Sequence, residues 1–337
     1  MLKLSFILPC YNVAPYIGRC IESIEHQDIP QSEYEVICVD DCSTDDTVRK
    51  IKEYQTKCPN IQLICHTENK TAGGARNTGI DYARGKYIWF VDPDDRIMPN
   101  SLKKLWNEVK ESQLDILFFN NNMHTYSGEC INCNVVGNSE VLSGQDYLVK
   151  YFPSQVTKIC SVWNELMRTE YVVNSMIRYP EIPASQDVVF LWEVICNAQK
   201  VRSIDSIYYS VYQRANSTTG AHGRYTAKSS FSFVVLYPRA MQEMFARNNI
   251  RLEIIQDLEI AIHRTINDNS KKLFRMSLQE KRKFYSSLIS YKSDIDILAK
   301  YVNSMTQRLL KTYHSYLIWL GVIYLSSLYV SVKSRLK

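Results

Sequence analysis

Glycine and proline are scarce in this 337-residue chain, at 11 and 10 residues, which excludes collagen-like, low-complexity and disordered scaffolding. An excess of charge is lacking too: 40 Lys and Arg against 35 Asp and Glu leave a net +5. That is too little for the basic stripe that wraps a nucleic acid, so no nucleic-acid partner is expected. The opening Met1-Leu2-Lys3-Leu4-Ser5-Phe6-Ile7-Leu8-Pro9 has no long apolar run and no small-residue cleavage site. No secretory signal is read there, and the first domain is expected in the cytosol. The 6 histidines form no His-x-x-x-His pair and have no nucleophile partner, so a hydrolase triad has no support. The 10 cysteines do not read as a disulfide framework, because Cys10, Cys20, Cys38, Cys42, Cys58 and Cys65 are scattered among candidate strands and helices, as reduced core residues would be. Cys130-Ile131-Asn132-Cys133 has zinc-knuckle spacing near His124, but no second Cys or His pair follows at a suitable distance.

What is present is enough apolar material, 45% of residues, for a sizeable core, over a length that predicts two domains. Candidate strands are Leu4–Leu8, Glu35–Val39, Ile61–Cys65, Tyr87–Val91 and Asp115–Phe119, apolar enough to be covered on both faces. Between them Ile17, Cys20, Ile21 and Ile24 keep helical spacing, and Ser43-Thr44-Asp45-Asp46 reads as a capping box opening a helix to about Tyr54. This βαβ alternation predicts a parallel, doubly wound sheet. Beyond residue 120 come a possible hairpin near Met123–Val136, a helix from about Asp187, a strand over Ile204–Tyr212, and a helical pattern from about Lys228. Asn216-Ser217-Thr218-Thr219-Gly220 supplies turn chemistry, which puts a domain boundary near 220.

In an open parallel sheet ligands bind beyond the carboxyl ends of the strands, so the residues just after each strand are read first. They are Pro9-Cys10-Tyr11-Asn12, Asp40-Asp41-Cys42-Ser43 and Asp92-Pro93-Asp94-Asp95. Five carboxylates on one rim repel unless a cation or a donor-rich ligand sits among them. Asp92-x-Asp94 offers hard oxygens of the type that Mg²⁺ or Mn²⁺ takes while leaving positions for phosphate oxygens; an isolated pair of this kind can equally be a capping turn. Gly73-Gly74-Ala75-Arg76-Asn77-Thr78-Gly79 opens a further helix, where glycines would let backbone N–H groups approach an anion and Arg76 adds a fixed cation. It is neither a P-loop nor a dinucleotide fingerprint.

The ordered set Phe6-Ile7-Leu8-Pro9-Cys10-Tyr11-Asn12, Val39-Asp40-Asp41-Cys42-Ser43-Thr44-Asp45-Asp46-Thr47, Gly74-Ala75-Arg76-Asn77-Thr78-Gly79 and Tyr87-Ile88-Trp89-Phe90-Val91-Asp92-Pro93-Asp94-Asp95 resembles glycosyltransferase family 2. The match is strong over roughly residues 1–100 and looser over 180–217. The resemblance implies an α/β chain of GT-A type, with a doubly wound, Rossmann-like mixed sheet in a nucleotide-sugar-binding catalytic domain (1–220). A smaller, mainly α-helical C-terminal region (221–337) follows it. The resemblance also implies an inverting transfer of a single hexose or hexosamine from a UDP-sugar donor to a hydroxyl of a glycan or lipid-linked saccharide acceptor, in a bacterial cell-surface polysaccharide. The donor residues it implies are Pro9, Tyr11, Asn12, Asp41, Arg76, Asp92 and Arg214, with the Tyr11 ring stacking on the base, Asp41 accepting its imide N–H, and Arg214 clamping a phosphate. Asp94 would hold Mn²⁺ or Mg²⁺. In Ala184-Ser185-Gln186-Asp187, similar to the family's Glu-Asp element, Asp187 is the candidate base, and Gln186 replaces the usual Glu; it can also cap the following helix. Cys42 stands where the family usually has Gly.

Thr312 to Val332 carry no Asp, Glu, Lys or Arg over 21 residues, about 30 Å as a helix. Tyr313, Tyr316, Tyr324, Ser327 and Ser331 fall on one helical face, which suits a helix lying in the interface at the inner face of the cytoplasmic membrane, with Lys311, Lys333, Arg335 and Lys337 meeting anionic headgroups. A single span and a helix docked on the catalytic domain are the alternatives. Two rival functions remain. A sugar-phosphate nucleotidyltransferase would need a basic Gly-rich first βα turn, which Pro9-Cys10-Tyr11-Asn12 is not; a catalytically silent membrane-associated interaction subunit would have no use for Asp92, Asp94 and Asp187.

Overall fold

The computed structural model describes residues 1–125, 127–153, 161–213, 227–272 and 276–290. The strands are β1 (Leu4–Cys10), β2 (Tyr34–Asp40), β3 (Ile61–Cys65), β4 (Tyr87–Phe90), β5 (Arg96–Ile97), β6 (Ile116–His124), β7 (Cys130–Cys133), β8 (Glu165–Arg168) and β9 (Val201–Tyr212). Among the described residues they make one nine-stranded sheet, ordered β3-β2-β1-β4-β8-β6-β9-β5, with β7 added to β6 as a hairpin. The half from β3 to β4 is parallel, as the alternation predicts. The other half is mixed: β8 runs antiparallel to both β4 and β6, and β5 antiparallel to β9, while β6 and β9 are parallel. A strand that enters between β4 and β6 from a loop-rich stretch is free of the crossover that keeps βαβ strands parallel, and the sheet is therefore mixed, as GT-A folds are.

Every residue of β1 and β2 is buried, which is why their sequences read as unbroken apolar runs. One sheet face receives α1 (Ile17–Glu25), whose Ile17, Cys20, Ile21 and Ile24 join Leu4, Phe6, Leu8, Val36 and Cys38. α2 (Thr47–Gln55) contributes Ile51 to that layer. The opposite face receives α3 (Thr71–Tyr82), which sets Ala75 against Ile37 and Val39. Gly79 lets α3 lie almost on β1: a Cβ there would stand 2.3 Å from Ile7 Cγ2. Gly73 plays the same part toward Gln186, whose Cγ would be 2.8 Å from an added Cβ. These two glycines serve close packing, where the sequence suggested a backbone approach to an anion.

Four further helices belong to this unit: α4 (Leu102–Val109), α5 (Gly144–Tyr151), α6 (Thr169–Asn174) and α7 (Gln186–Asn197). The 9 cysteines described are all free. Cys10, Cys20, Cys38 and Cys58 lie in the core, but Cys42 is only partly covered and Cys65 is exposed, because β3 is the edge strand and leaves one face open. Cys130 and Cys133, three apart on β7, point to opposite faces of the strand, and no group of three or more His, Cys, Asp or Glu suited to a metal occurs among the described residues.

The chain divides into two compact units. The first holds residues 1–153, 158–181 and 186–223; the second takes 154–157, 182–185 and the chain from 224 on. In the second, α8 (Ala227–Phe231) passes through a π-helical stretch, Ser232–Leu236, into α9 (Tyr237–Arg247), followed by α10 (Leu252–Lys272) and α11 (Leu278–Ser290). α10 buries Ile254, Leu258, Ile262 and Ile266, one stripe at i, i+4 spacing. Among the described residues no helix is long and apolar enough to cross a membrane. The apolar segment 312–332 and Arg214 lie outside the described residues.

Candidate active site

The loops after β1 and β2 are laced together at the carboxyl edge of the sheet. Asn12 accepts from the Thr44 N–H at 2.8 Å and donates its own N–H to Ser43 Oγ at 3.0 Å, while Val13 and Ala14 donate to Thr47 and Asp45. The side chain of Asn12 is thus engaged in holding this edge in shape. Asp45 caps α2 by taking the Thr47 N–H and hydroxyl, so the expected capping box is replaced by a cap two residues further on. Asn12 and Cys42 both have left-handed φ, +51° and +65°. At Cys42 the backbone keeps the conformation a glycine would take freely, at a cost of roughly 1–2 kcal/mol, and its Sγ is anchored on the His66 carbonyl at 3.2 Å. Pro9 is buried inside β1, and the Tyr11 ring stands 51% exposed beside it.

Asp41 is buried, with its Oδ1 taking the Lys70 N–H at 2.7 Å and facing His66 Nδ1 at 2.8 Å; His66 Nε2 in turn faces Thr78 Oγ1 at 2.9 Å. The sequence reading passed over His66, although it is the first residue after β3 and the strand-end rule reaches it.

The turn that follows β4 is gripped from three sides. Arg76 donates to Asp92 Oδ1 at 2.8 Å, and Arg19 donates to the Asp94 carbonyl at 2.8 Å. Tyr209, on β9, accepts the Asp92 N–H at 3.0 Å and donates to Asp95 Oδ2 at 2.9 Å, while the Tyr212 N–H supplies Asp95 Oδ1 at 2.8 Å. Burial pushes the Asp95 carboxyl well above the usual carboxylate range, and the neighbouring Asp94 and Asp92 push it the same way. Both oxygens of Asp95 are taken by the chain itself, and Asp92 and Asp94 are the pair whose carboxylates would meet a ligand. That donor set fits Mg²⁺ or Mn²⁺, which bind through one or two carboxylates and complete their shell with phosphate oxygens and water.

Asp187 opens α7, where its Oδ1 accepts the Val188 N–H at 3.0 Å. Burial raises its pKa; the Arg76 guanidinium pulls it down and Asp92 adds to the rise. Arg76 is itself buried, with its guanidinium 5.5 Å from the centre of the Tyr179 ring, and its charge is favoured by both Asp92 and Asp187. The carboxylates after β4 and at the head of α7 therefore converge on one cation. Gln186 is buried against Gly73, with its Oε1 unpartnered among the described residues. Glu165 on β8 is a further buried carboxyl near Arg76 and Asp187, held well above its ordinary pKa by burial; no motif marked it. The structure thus brings Asp92 and Asp187 within reach of the Arg76 guanidinium, with Asp94 in the turn after β4 and Pro9, Tyr11, Asn12 and Asp41 along the neighbouring strand ends.

Residues 5–129 match the family model described as "Glycosyl transferase family 2". Among curated relatives, a poly(ribitol-phosphate) beta-glucosyltransferase of Bacillus spizizenii is 31% identical over 225 residues, 63% of this chain and 33% of that protein. A glycosyltransferase of Escherichia coli named YibD, itself described as uncharacterized, is 32% identical over 65% of this chain and 64% of its own length. The chain thus spans from a third to just under two thirds of the first relatives it matches. Among solved structures, residues 1–349 of Staphylococcus aureus TarS in complex with UDP-GlcNAc superpose with a TM-score of 0.67 at 21% identity, covering 96% of this chain and 91% of that one. That likeness establishes the fold.

Proposed function

We propose, from the premise that residues 5–129 belong to glycosyl transferase family 2 and that the chain is a glycosyltransferase, that it transfers one sugar from a UDP-sugar to a hydroxyl of a cell-surface glycan with inversion. The observation that carries this reading is the position of Arg76 between Asp92 and Asp187. An inverting displacement needs a leaving-group site and a base on opposite sides of one anomeric carbon, and here one guanidinium pairs with Asp92 and acts electrostatically on Asp187.

The Tyr11 ring offers a face to the uracil, and Asp41, fixed by His66 and Lys70, would accept its imide N–H. Asp92 and Asp94 would hold the divalent cation, which when bound neutralises the departing diphosphate. Arg76 holds Asp92 in place. Asp187 takes the proton of the acceptor hydroxyl as the oxygen attacks, and its raised pKa makes it a stronger base than an exposed aspartate. UDP as the nucleotide is supported by the UDP-GlcNAc complex of the TarS neighbour, and a polysaccharide or teichoic-acid-like acceptor by the names of the relatives. Attachment to the inner membrane surface through residues 312–332 completes the proposal.

The test is UDP release and product mass after incubation with Mn²⁺, a panel of UDP-sugars and a lipid extract. Metal-dependent release lost on Asp94→Ala supports the reading. No uptake of any uridine diphosphate compound in calorimetry with Mn²⁺ refutes it, and leaves the silent interaction subunit.

A further inference from the structure

A cavity of about 480 Å³ opens where the ends of β6 and β9 meet α1 and β5, and none of the residues assigned to the donor lines it. Its floor follows from strand register. Asn122 lies opposite Ser210 and His124 opposite Tyr212 in the parallel β6–β9 ladder, so these four side chains, two apart along each strand, share one sheet face. Arg19 of α1 and Arg96 of β5 close the cavity, their guanidinium carbons 5.0 and 4.9 Å from the centre of the Tyr212 ring, against which His124 stacks at 4.3 Å.

The polar groups here are incomplete. The Nε–H of Arg19, the Nε–H of Arg96 and Oδ1 of Asn122 are buried with no hydrogen-bond partner among the described residues, and Asn122 is 8% exposed. Each such group costs about 1–3 kcal/mol if it stays unmet. The acid on the rim, Glu22, accepts a 2.6 Å hydrogen bond from the Tyr54 hydroxyl. Two guanidinium donors call for an anion, and the planar fork of arginine matches phosphate oxygens. Asn122 Oδ1 is an acceptor, which a fully ionised phosphate oxygen cannot satisfy, whereas a hydroxyl beside the phosphate can.

We infer that this cavity binds the phosphate ester of a polyol or sugar, at a site separate from the donor diphosphate. Arg19 also donates to the Asp94 carbonyl, and Arg96 directly follows Asp95, so an occupant is coupled to the turn that faces the donor. Binding at this site does not depend on the donor reading, because none of its lining residues is assigned to the nucleotide sugar or the cation.

The test is calorimetric titration of the full chain with glycerol 3-phosphate, with and without saturating UDP and Mn²⁺. Uptake that persists beside UDP and falls about tenfold or more in Arg96→Gln is the expected result. Asn122→Leu should weaken glycerol 3-phosphate more than inorganic phosphate, which has no hydroxyl beside its phosphate to offer. His124→Gln, at the end of β6, is a second variant should Arg96→Gln fail to fold. Tighter binding of a glycerol phosphate oligomer than of the monomer assigns the site to a phosphodiester acceptor chain; equal binding assigns it to a free phosphate ester, and either supports the proposal. No uptake, uptake indifferent to Arg96→Gln and His124→Gln, or complete displacement by UDP overturns it. Failure of UDP to bind while glycerol 3-phosphate still does would count against the donor reading alone.

Discussion

Tyr209→Phe isolates what one hydroxyl does for the turn that presents Asp92 and Asp94. The hydroxyl is fully buried and makes two bonds, accepting from the Asp92 N–H at 3.0 Å and donating to Asp95 Oδ2 at 2.9 Å. Phenylalanine keeps the ring, including its stacking on Trp163 at 4.9 Å between centroids, so no large cavity opens. The loss is one neutral bond and one bond to a buried carboxyl, about 1 and about 2 kcal/mol, and urea unfolding followed by tryptophan fluorescence should register a destabilisation of about 3 kcal/mol. The cost should depend on pH. Asp95 already has a folded pKa raised above its unfolded value, so ionising it opposes folding, and stability is lost as pH climbs from the ordinary carboxylate range through the raised one. The Tyr209 bond is one of the interactions holding that pKa down. Without it the ionised form is worse still, and the penalty of the variant should grow as pH rises above the ordinary carboxylate range. A loss below about 0.5 kcal/mol, or one larger in acid than in base, would refute the assignment of Tyr209 as the clamp of this turn.

Asp187→Asn should lower kcat by about 10²–10⁴ with UDP affinity unchanged. In the wild type kcat/KM should rise with pH through a group titrating above the ordinary aspartate value, a limb that the variant lacks; a variant that keeps the limb would show that another group is the base. Gly79→Ala drives a Cβ to 2.3 Å from Ile7 Cγ2 and should destabilise by about 1–3 kcal/mol in thermal unfolding, whereas Gly137→Ala, with open space around it, should change little. Deleting residues 312–337 should move the protein from the membrane to the soluble fraction; sedimentation that persists would remove the anchoring role of that tail. Chelation with EDTA should abolish UDP uptake yet shift the melting temperature of the free chain by less than about 2 °C, and a large loss of stability would mean that the fold itself depends on the cation.

The parallel half of the fold was legible because its signals are local. Each strand is an apolar run and each βα turn carries its own polar residues, so the carboxylates could be placed on one edge without knowledge of the remainder. β8 was not legible: Glu165–Arg168 is a short strand in a loop-rich stretch, and its place between β4 and β6 is decided by pairing with segments that lie tens of residues away. The same holds for the supports of the site. Tyr209 reaches Asp92 and Asp95 across more than a hundred residues, and Gln186 meets Gly73 across a similar distance. The glycines of α3 show how a composition signal can point to the wrong cause, since a Gly-rich helix start looks alike whether an anion or a neighbouring side chain needs the space.

Repulsion among five carboxylates on one rim was the sequence-level reason to expect a cation, and the structure narrows that reason. Asp40 takes the Ser43 N–H, Asp41 is met by His66 and the Lys70 N–H, and Asp95 is saturated by Tyr209 and the Tyr212 N–H. Most of the rim is therefore compensated by the chain's own donors. Asp92 has a partner in Arg76, but that guanidinium also serves Asp187, so one positive charge stands between two negative ones. What shortage of positive charge remains is around Arg76, where Asp92 and Asp187 share one guanidinium. A cation arriving with a diphosphate relieves it, whereas a cation alone has only the carboxylates of Asp92 and Asp94 to hold it, so metal and nucleotide should bind as a pair, each raising the affinity of the other.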